Sequence, residues 1–254
     1  MTATPAARPR AARAALVASA ALGGLVLLVP ACGDGEDPVE ERTVTLSGTT
    51  YTFNTPNPVE GAVVRIAEQP GIEAVSDEDG AWSLEVRAGG AVTPWVSHPN
   101  HVDMFVQTFT ADDDIPDIYF QMVMPGIFAA MEAILEIEAD PELCQIVTTV
   151  SERAIQGMTF PEFAAHRAHG VADAIAAMDP PAVEPVYFNA QVLPDRTHTE
   201  TSRDGGVVWT NVPPGVYTLY AQHDELSFAE AVVTCEPGRF INANPPQGLR
   251  ELVD

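Results

Sequence analysis

The chain contains no lysine, and its 12 basic residues are all arginine. Aspartate and glutamate number 36, which gives a formal net charge of −24 at pH 7. Such a chain would repel a polymer of phosphates, so nucleic acid is excluded as a partner. The shortage of positive charge also excludes adhesion to anionic lipid headgroups through a basic patch, whereas cations and basic partners remain compatible with it.

The sequence also lacks the short motifs that mark common catalytic and cofactor sites. It contains no Gly-x-Ser-x-Gly nucleophile elbow, no glycine-rich phosphate loop and no dinucleotide fingerprint. Serine, histidine and aspartate all occur, but no spacing among them indicates a triad. We therefore expect a protein that is not an enzyme and needs no cofactor, with a divalent metal ion as the exception considered below.

The long apolar run of the chain lies near its N-terminus. Three arginines precede the run 14–29, and Cys32 follows it. A positive segment, an apolar segment and small residues before a cleavage point are typical of an export signal. The run is short for a span of about 20 residues and is interrupted by glycines, which disfavours an uncleaved membrane helix.

The segment Val29-Pro30-Ala31-Cys32 resembles the lipobox of bacterial lipoproteins. The resemblance implies that residues 1–31 are a lipoprotein signal peptide and that Cys32 becomes the lipidated first residue. It also implies a cell-envelope protein whose lipid anchor holds it on a membrane, at the outer membrane or cell surface rather than the inner membrane. Ordinary signal cleavage without a lipid is the alternative. Residues 32–42 are acidic and would form a short tether.

Cys144 and Cys235 are the two cysteines that remain once Cys32 carries the lipid. An even pair of cysteines in an oxidising compartment predicts a disulfide. Two free buried thiols are the alternative. The separation of the two residues does not match the spacing of a metal site.

Residues 43–124 have the pattern of several short strands. The segment 81–87 alternates apolar and polar residues, and Asp79-Gly80 just before it is typical of a hairpin turn. Short strands separated by glycine, proline and aspartate turns favour an antiparallel sandwich.

The same region resembles a known domain family. Residues 58–64 (Pro-Val-Glu-Gly-Ala-Val-Val) and 76–84 (Ser-Asp-Glu-Asp-Gly-Ala-Trp-Ser-Leu) look like the two motifs of the carboxypeptidase regulatory-like, or prealbumin-like, domain. The resemblance implies a small β-sandwich without catalytic residues of its own. It also implies an accessory or interaction module of a secreted or surface protein.

Residues 125–179 change to a helical period. The segment 140–142 (Asp-Pro-Glu) predicts a helix start, and 159–162 (Thr-Phe-Pro-Glu) predicts a capping box. We expect two or three helices in this region, the last of which runs over 161–178.

Residues 180–245 return to strand patterns. Asp204-Gly205 ahead of Trp209 repeats the arrangement of Asp79-Gly80 ahead of Trp82. The predicted fold is therefore mainly β with a helical segment. It consists of two antiparallel prealbumin- or immunoglobulin-like sandwiches, 43–124 and 180–245, separated by two or three α-helices at 125–179 and followed by a tail at 246–254.

Glu162, His166 and His169 recur at helical spacing and, with Asp173, would lie on one face of the last predicted helix. Two imidazoles and a carboxylate can hold a divalent metal ion. The solvated polar face of an amphipathic helix fits the same pattern equally well.

Other polar and aromatic groups favour structural roles. His98 and His101 lie in a predicted turn, which does not by itself set a tetrahedral geometry. The acidic runs 77–79 and 112–114 lack the spacing of a calcium loop and favour turns. Several aromatic residues sit at strand positions typical of a core, with a stacking platform for sugars as the alternative: Trp82, Trp95, Trp209, Tyr217 and Tyr220.

The sequence thus predicts a non-catalytic, membrane-anchored envelope lipoprotein that acts as a binding or structural presentation module. Its partner would be an unknown protein or polysaccharide. Two other hypotheses stay open. One is a metal-binding protein or metal-dependent hydrolase that uses the histidine and glutamate cluster, and the other is a carbohydrate- or peptide-binding module that uses exposed aromatic side chains.

Overall fold

Extended strands dominate the computed structural model, which describes residues 42–166 and 169–253. The signal-like segment 1–31, Cys32 and all but the last residue of the tether 32–42 lie outside the described residues. Lipidation of Cys32 therefore stays a prediction.

The first half of the described chain contains strands alone. Nine strands precede the first helix: β1 Thr43–Thr52, β2 Val63–Ile66, β3 Glu73–Val75, β4 Ala81–Arg87, β5 Ala91–Val92, β6 Pro94–Ser97, β7 Met104–Phe105, β8 Phe109–Thr110 and β9 Ile115–Met122.

The second half mixes strands with short helical segments. Its elements are α1 Pro125–Leu135, β10 Cys144–Ser151, a 3₁₀ turn Arg153–Ile155, α2 Phe160–Ala165, β11 Ile175–Asp179, β12 Val186–Phe188, β13 Pro194–Asp195, β14 Gly206–Val212, β15 Gly215–Gln222, β16 Ala231–Cys235, β17 Phe240–Ala243 and β18 Leu249–Arg250.

A ten-stranded sheet runs through both halves of the protein. Its order is β13-β12-β14-β10-β17-β7-β6-β2-β3, and β18 pairs with β10 beside β17. Smaller sheets have the orders β4-β1-β9, β11-β15-β16 and β5-β8. The two halves of the large sheet meet where Ile241 of β17 pairs in parallel with Phe105 of β7.

Each half of the large sheet packs against one three-stranded sheet and encloses its own apolar core. The first core joins β4-β1-β9 to β7-β6-β2 and includes the fully buried Leu46, Val64 and Phe120. The second core joins β14-β10-β17 to β11-β15-β16 and includes Trp209 and Leu219, which are also fully buried. Two sandwiches therefore share one continuous sheet.

A repeated hydrogen-bond pattern shows that the two sandwiches are built alike. In the first, the Ser76 hydroxyl donates to the Val59 carbonyl at 2.7 Å and accepts from the Ala62 N–H at 2.9 Å. In the second, the Thr201 hydroxyl donates to the Val171 carbonyl at 2.7 Å and accepts from the Ala174 N–H at 2.9 Å. A buried hydroxyl therefore links the same pair of backbone groups, a carbonyl and the N–H three residues later, in both sandwiches.

The two Asp-Gly turns also occupy equivalent places. The Thr50 N–H donates to the Gly80 carbonyl at 2.8 Å, and the Val150 N–H donates to the Gly205 carbonyl at 2.9 Å. Both glycines have positive φ, +73° and +72°. The repetition predicted from the sequence is therefore real, but Asp79-Gly80 is not a hairpin turn. It joins β3 to β4, which belong to different sheets.

The predicted helical segment between the sandwiches is wrong in most of its length. Residues 144–151 form β10, which pairs with β14 and β17 at the centre of the second sandwich. Five of its eight residues are valine, isoleucine or threonine, and β-branched side chains favour extended backbone. The Asp140 carboxylate accepts the Glu142 N–H at 2.9 Å, so 140–142 is a turn before a strand rather than a helix start.

The helix predicted over 161–178 ends at Ala165. Gly170 then pairs with Ser151, and a side chain at Gly170 would overlap the Asp204 backbone. Residues 174–178 bury Ala174, Ala176 and Met178 and expose Ile175, which is the period of a strand. This strand, β11, pairs with β15 and closes the second core.

Candidate functional site: a cavity between helix α1 and the large sheet

A cavity of about 550 Å³ lies against the face of the large sheet that is turned away from the second core. Alternation along three strands creates its floor. On β10, Ile146 and Val150 point into the core, whereas Val147 and Thr149 line the cavity. The same alternation places further side chains on the floor: Val208 and Thr210 from β14, and Phe240 and Asn242 from β17.

Helix α1 forms the opposite wall. Its Ile127, Phe128, Met131 and Leu135 line the cavity, and Leu135 is the residue of the helix that is buried. Phe128 packs edge-on against Phe240 with ring centroids 5.4 Å apart. An apolar helix in which most side chains remain accessible has not filled the space beneath it, and this leaves the cavity open.

The charged groups of the wall are mostly acidic. Glu132 of α1 accepts the Ala139 N–H at 2.9 Å, and Asp204 accepts the Gly206 N–H through Oδ2 at 3.2 Å. No second donor among the described residues contacts the Asp204 carboxylate. Burial raises the pKa of Asp204 to about 6, against a smaller lowering by the Gly206 hydrogen bond.

An aromatic cluster beside α2 forms another part of the wall. Tyr51 and Tyr119 pack against Phe160 and Phe163, with ring centroids 5.0 to 6.4 Å apart. The His169 ring stacks on Phe163 at 4.5 Å and is nearly parallel to it. Burial is the largest cause that raises the pKa of both tyrosine hydroxyls.

The residues that were predicted to bind a metal have separate partners in the structure. Glu162 bonds to the N–H and the hydroxyl of Thr159, at 2.9 and 2.8 Å, so the predicted capping box is confirmed and its carboxylate is engaged there. His166 Nε2 lies 2.5 Å from Glu152 Oε1, and His169 lies beside His166 with ring centroids 5.8 Å apart. Because α2 ends at Ala165, the predicted helical stripe does not exist. Within residues 42–166 and 169–253, no three metal-ligating side chains converge.

The other histidine pair lies in a turn, as predicted. His98 Nδ1 and His101 Nδ1 are 3.0 Å apart, and His101 Nε2 lies 3.3 Å from the Thr52 hydroxyl. Burial lowers the pKa of His101, and His98 lowers it further. His98 and His101 do not line the cavity, whereas His166 and His169 do. The two pairs therefore do not build one site.

The first acidic run holds a turn, and the second contacts the start of β1. Asp77 Oδ1 accepts the N–H groups of Asp79 and Ala81 at 3.0 and 2.9 Å. Asp114 Oδ1 accepts the Thr45 N–H at 2.7 Å, and Arg42 donates to the Asp112 carbonyl.

Of the five aromatic residues singled out in the sequence, three lie in the cores, whereas Trp95 and Tyr220 are partly exposed. Trp82, Trp209 and Tyr217 are buried, with exposures of 5% or less. Trp95 is half-buried, stacks on Phe105 at 5.6 Å and is covered by Arg65 at 5.1 Å. The Trp95 ring therefore already packs against Phe105 and Arg65.

Asp204 and His169 are expected to give opposite pH dependences of stability. Folding raises the pKa of Asp204 from 3.8 to about 6, so its contribution is complete below pH 3.8 and is lost as the pH rises through about 6. Folding lowers the pKa of His169 from 6.5 to about 4, mainly through burial, so its contribution is complete above pH 6.5 and is lost as the pH falls through about 4. In the native protein, the fall in stability with rising pH that Asp204 causes and the rise that His169 causes largely cancel.

Single substitutions should reveal each pH dependence when the free energy of unfolding is measured in urea between pH 4 and 6.5. Relative to the native protein, Asp204→Asn should gain stability as the pH rises, by at most about 3 kcal/mol. His169→Gln should lose stability over the same range, by less, because solvent screens a partly exposed ring. Asp79→Asn, in the equivalent exposed turn, is the control. A profile for Asp204→Asn parallel to the native one would contradict the assignment.

The cavity and the role of Asp204 were not predicted from the sequence. Asp204 was recognised only as part of an Asp-Gly turn. One signal was present, since residues 125–135 form an almost uncharged apolar helix with Glu132 as its only charge. Such a helix must face something apolar along much of its circumference.

Comparisons with known proteins give only distant likenesses. No protein-family model matches the chain, and no curated protein matches it either. The resemblance to the carboxypeptidase regulatory-like domain therefore stays a prediction.

The solved structures that the chain resembles include pilins and a cohesin–dockerin complex, all with low similarity scores. They include a type II cohesin–X–dockerin complex from Acetivibrio cellulolyticus, at 21% identity over 32% of this chain and 56% of that chain, with a TM-score of 0.27. The minor pilin of Streptococcus agalactiae gives 11% identity, 83% and 97% coverage and a TM-score of 0.27. The shaft pilin of Lactobacillus rhamnosus GG gives 9% identity over 84% of this chain and 100% of that chain, with a TM-score of 0.25. At such scores the likeness carries no argument.

Among the residues that the structure describes, no helix combines the length and apolar character needed to cross a membrane.

Proposed function

We propose that this protein is a non-catalytic binding module of the cell envelope, held on a membrane by a lipid on Cys32. The observation that carries the binding role is the cavity between α1 and the large sheet. Its volume of about 550 Å³ falls within the range of small-molecule sites, roughly 300–1,000 Å³. Its walls combine apolar side chains from α1 and the large sheet with polar ones such as Gln121, Gln145 and Asn242.

The disulfide supports the proposed location. Cys144 and Cys235 are bonded, as predicted, and join β10 of the large sheet to β16 of the sheet packed against it. Disulfides of this kind persist in oxidising compartments such as the periplasm or the cell surface. The outer membrane or the cell surface fits an acidic tether and a folded part that presents a ligand or binds a partner protein or polysaccharide.

The non-catalytic role is supported by where the reactive residues lie. Glu162 caps α2, and Asp77 holds a turn. Asp114 accepts the Thr45 N–H of β1, and His98 and His101 bond to each other. Each of these groups has a structural partner that accounts for its position.

The anchor is tested by expressing the full-length protein in a bacterium that processes lipoproteins. The native protein should fractionate with membranes, and its intact mass should be that of a chain beginning at Cys32 with diacylglycerol attached. The Cys32→Ser variant should lose the lipid and leave the membrane fraction. A native protein that is cleaved but carries an unmodified cysteine would remove the anchor from the proposal and leave the binding role to be tested separately.

A further inference from the structure

The part of the cavity between α1 and the large sheet favours a ligand with an apolar body. Phe128, Met131 and Leu135 of α1 face Val147 and Val208 across the open volume. Contact with these side chains would remove apolar surface from water on both sides, at about 25 cal/mol for each Å² buried. A strongly polar molecule would gain little from this part of the wall.

The charge of the wall selects among apolar ligands. The carboxylates Glu132 and Asp204 line the cavity together with His166 and His169, and no arginine among the described residues does so. The sequence contains no lysine. Glu132 and Asp204 each accept one backbone N–H, from Ala139 and Gly206, and each has a second oxygen without a protein donor among the described residues. An anionic ligand would face repulsion, and a cationic one would complete the coordination of Asp204.

We propose that the cavity binds a small organic cation: a primary amine with an alkyl or arylalkyl body that lies between α1 and the sheet and an ammonium group bound by the Asp204 carboxylate. The inference rests on the proposed binding function and specifies its ligand class.

Burial makes Asp204 selective. A carboxylate withdrawn from water loses hydration and gains more from a cation than an exposed carboxylate does. A hydrogen bond between charged groups contributes about 1.5–3 kcal/mol, which corresponds to roughly tenfold to hundredfold in affinity. The apolar body supplies the remaining affinity and should bind whatever its head group.

Three ligands with the same alkyl chain separate these contributions: octylamine, octanol and octanoate. Each is titrated near neutral pH by calorimetry into the full-length chain carrying Cys32→Ser, so that no acyl group competes. Octylamine should bind about tenfold or more tightly than octanol, and octanoate should bind most weakly. Asp204→Asn should reduce octylamine to the affinity of octanol and leave octanol unchanged.

Two further variants keep the test decisive. Asp79→Asn changes the equivalent Asp-Gly turn outside the cavity and should bind all three ligands as the parent does. Met131→Trp fills the cavity from α1 and should weaken octylamine and octanol together, which reports on the apolar contact without touching Asp204.

The outcomes distinguish the ligand class from the binding function. Equal affinity for octylamine and octanol, or tighter binding of octanoate, would overturn the cation proposal while leaving the cavity as a binding site. The same holds if Asp204→Asn keeps the preference for octylamine. If none of the three ligands binds, the cavity is not a site for apolar molecules and the proposed binding function loses its main support.

Discussion

Removing the Cys144–Cys235 disulfide is expected to destabilise the protein by about 4–5 kcal/mol, because the bond closes a loop with a sequence separation of 91 residues. Without it the unfolded chain regains that conformational freedom. The folded state also loses a covalent link between the two sheets of the second sandwich. Both cysteines are buried, so serine at either place would add a desolvation cost.

The measurement is urea unfolding of the native protein and of the double variant Cys144→Ala/Cys235→Ala. Alanine avoids burying a hydroxyl. Reduction of the native protein with a thiol is the companion experiment, because it opens the loop without changing any residue. A loss below about 1 kcal/mol in both experiments would show that the bond does not constrain the unfolded state as the loop length requires.

Replacing Gly205 with alanine is expected to cost about 3 kcal/mol, for two reasons that can be separated. Gly205 has a φ of +72°, a region that costs an alanine about 1–2 kcal/mol. Its added Cβ would also overlap the Val150 carbonyl and the Gly170 backbone, and such overpacking costs roughly a further 1–3 kcal/mol.

Gly157 provides the matched control. Its φ is +75°, and nothing lies within 4 Å of an added Cβ. Gly157→Ala should therefore show the backbone cost alone, and the difference between the two variants in urea unfolding measures the close approach of the turn to β10. Equal losses for Gly157→Ala and Gly205→Ala would mean that β10 yields to the side chain and that the turn does not fix the sandwich.

Local patterns predicted the elements that depend on neighbouring residues. Along β4, side chains alternate between buried and exposed through all seven residues, as the sequence 81–87 indicates. The capping box of α2 was also readable, because Thr159 and Glu162 contact each other within one turn. The disulfide was predictable because, once Cys32 is assigned to the lipid, Cys144 and Cys235 are the two cysteines that remain.

Long-range contacts decided the rest. The end of α2 was missed because Gly170 must approach Asp204 closely, and their separation in sequence hides that contact. Strand β10 was missed because Asp140 and Pro141 look like a helix start. The strands that pair with β10, β14 and β17, come about 60 to 100 residues later, so no local pattern indicates the pairing. The cavity depends on how far α1 lies from the large sheet, a distance that no local pattern encodes.

The shared sheet sets the order in which the protein can be completed as it is synthesised. The first core draws nearly all its residues from 44–123, with Phe240 as a late addition, so it can assemble while the rest of the chain is still emerging. The second core needs Ile241, Ala243 and Leu249, which come last. Until β17 arrives, β7 and β10 both present open edges that could pair with another copy. A chain released before Phe240 is added would therefore have one finished sandwich and two open strand edges.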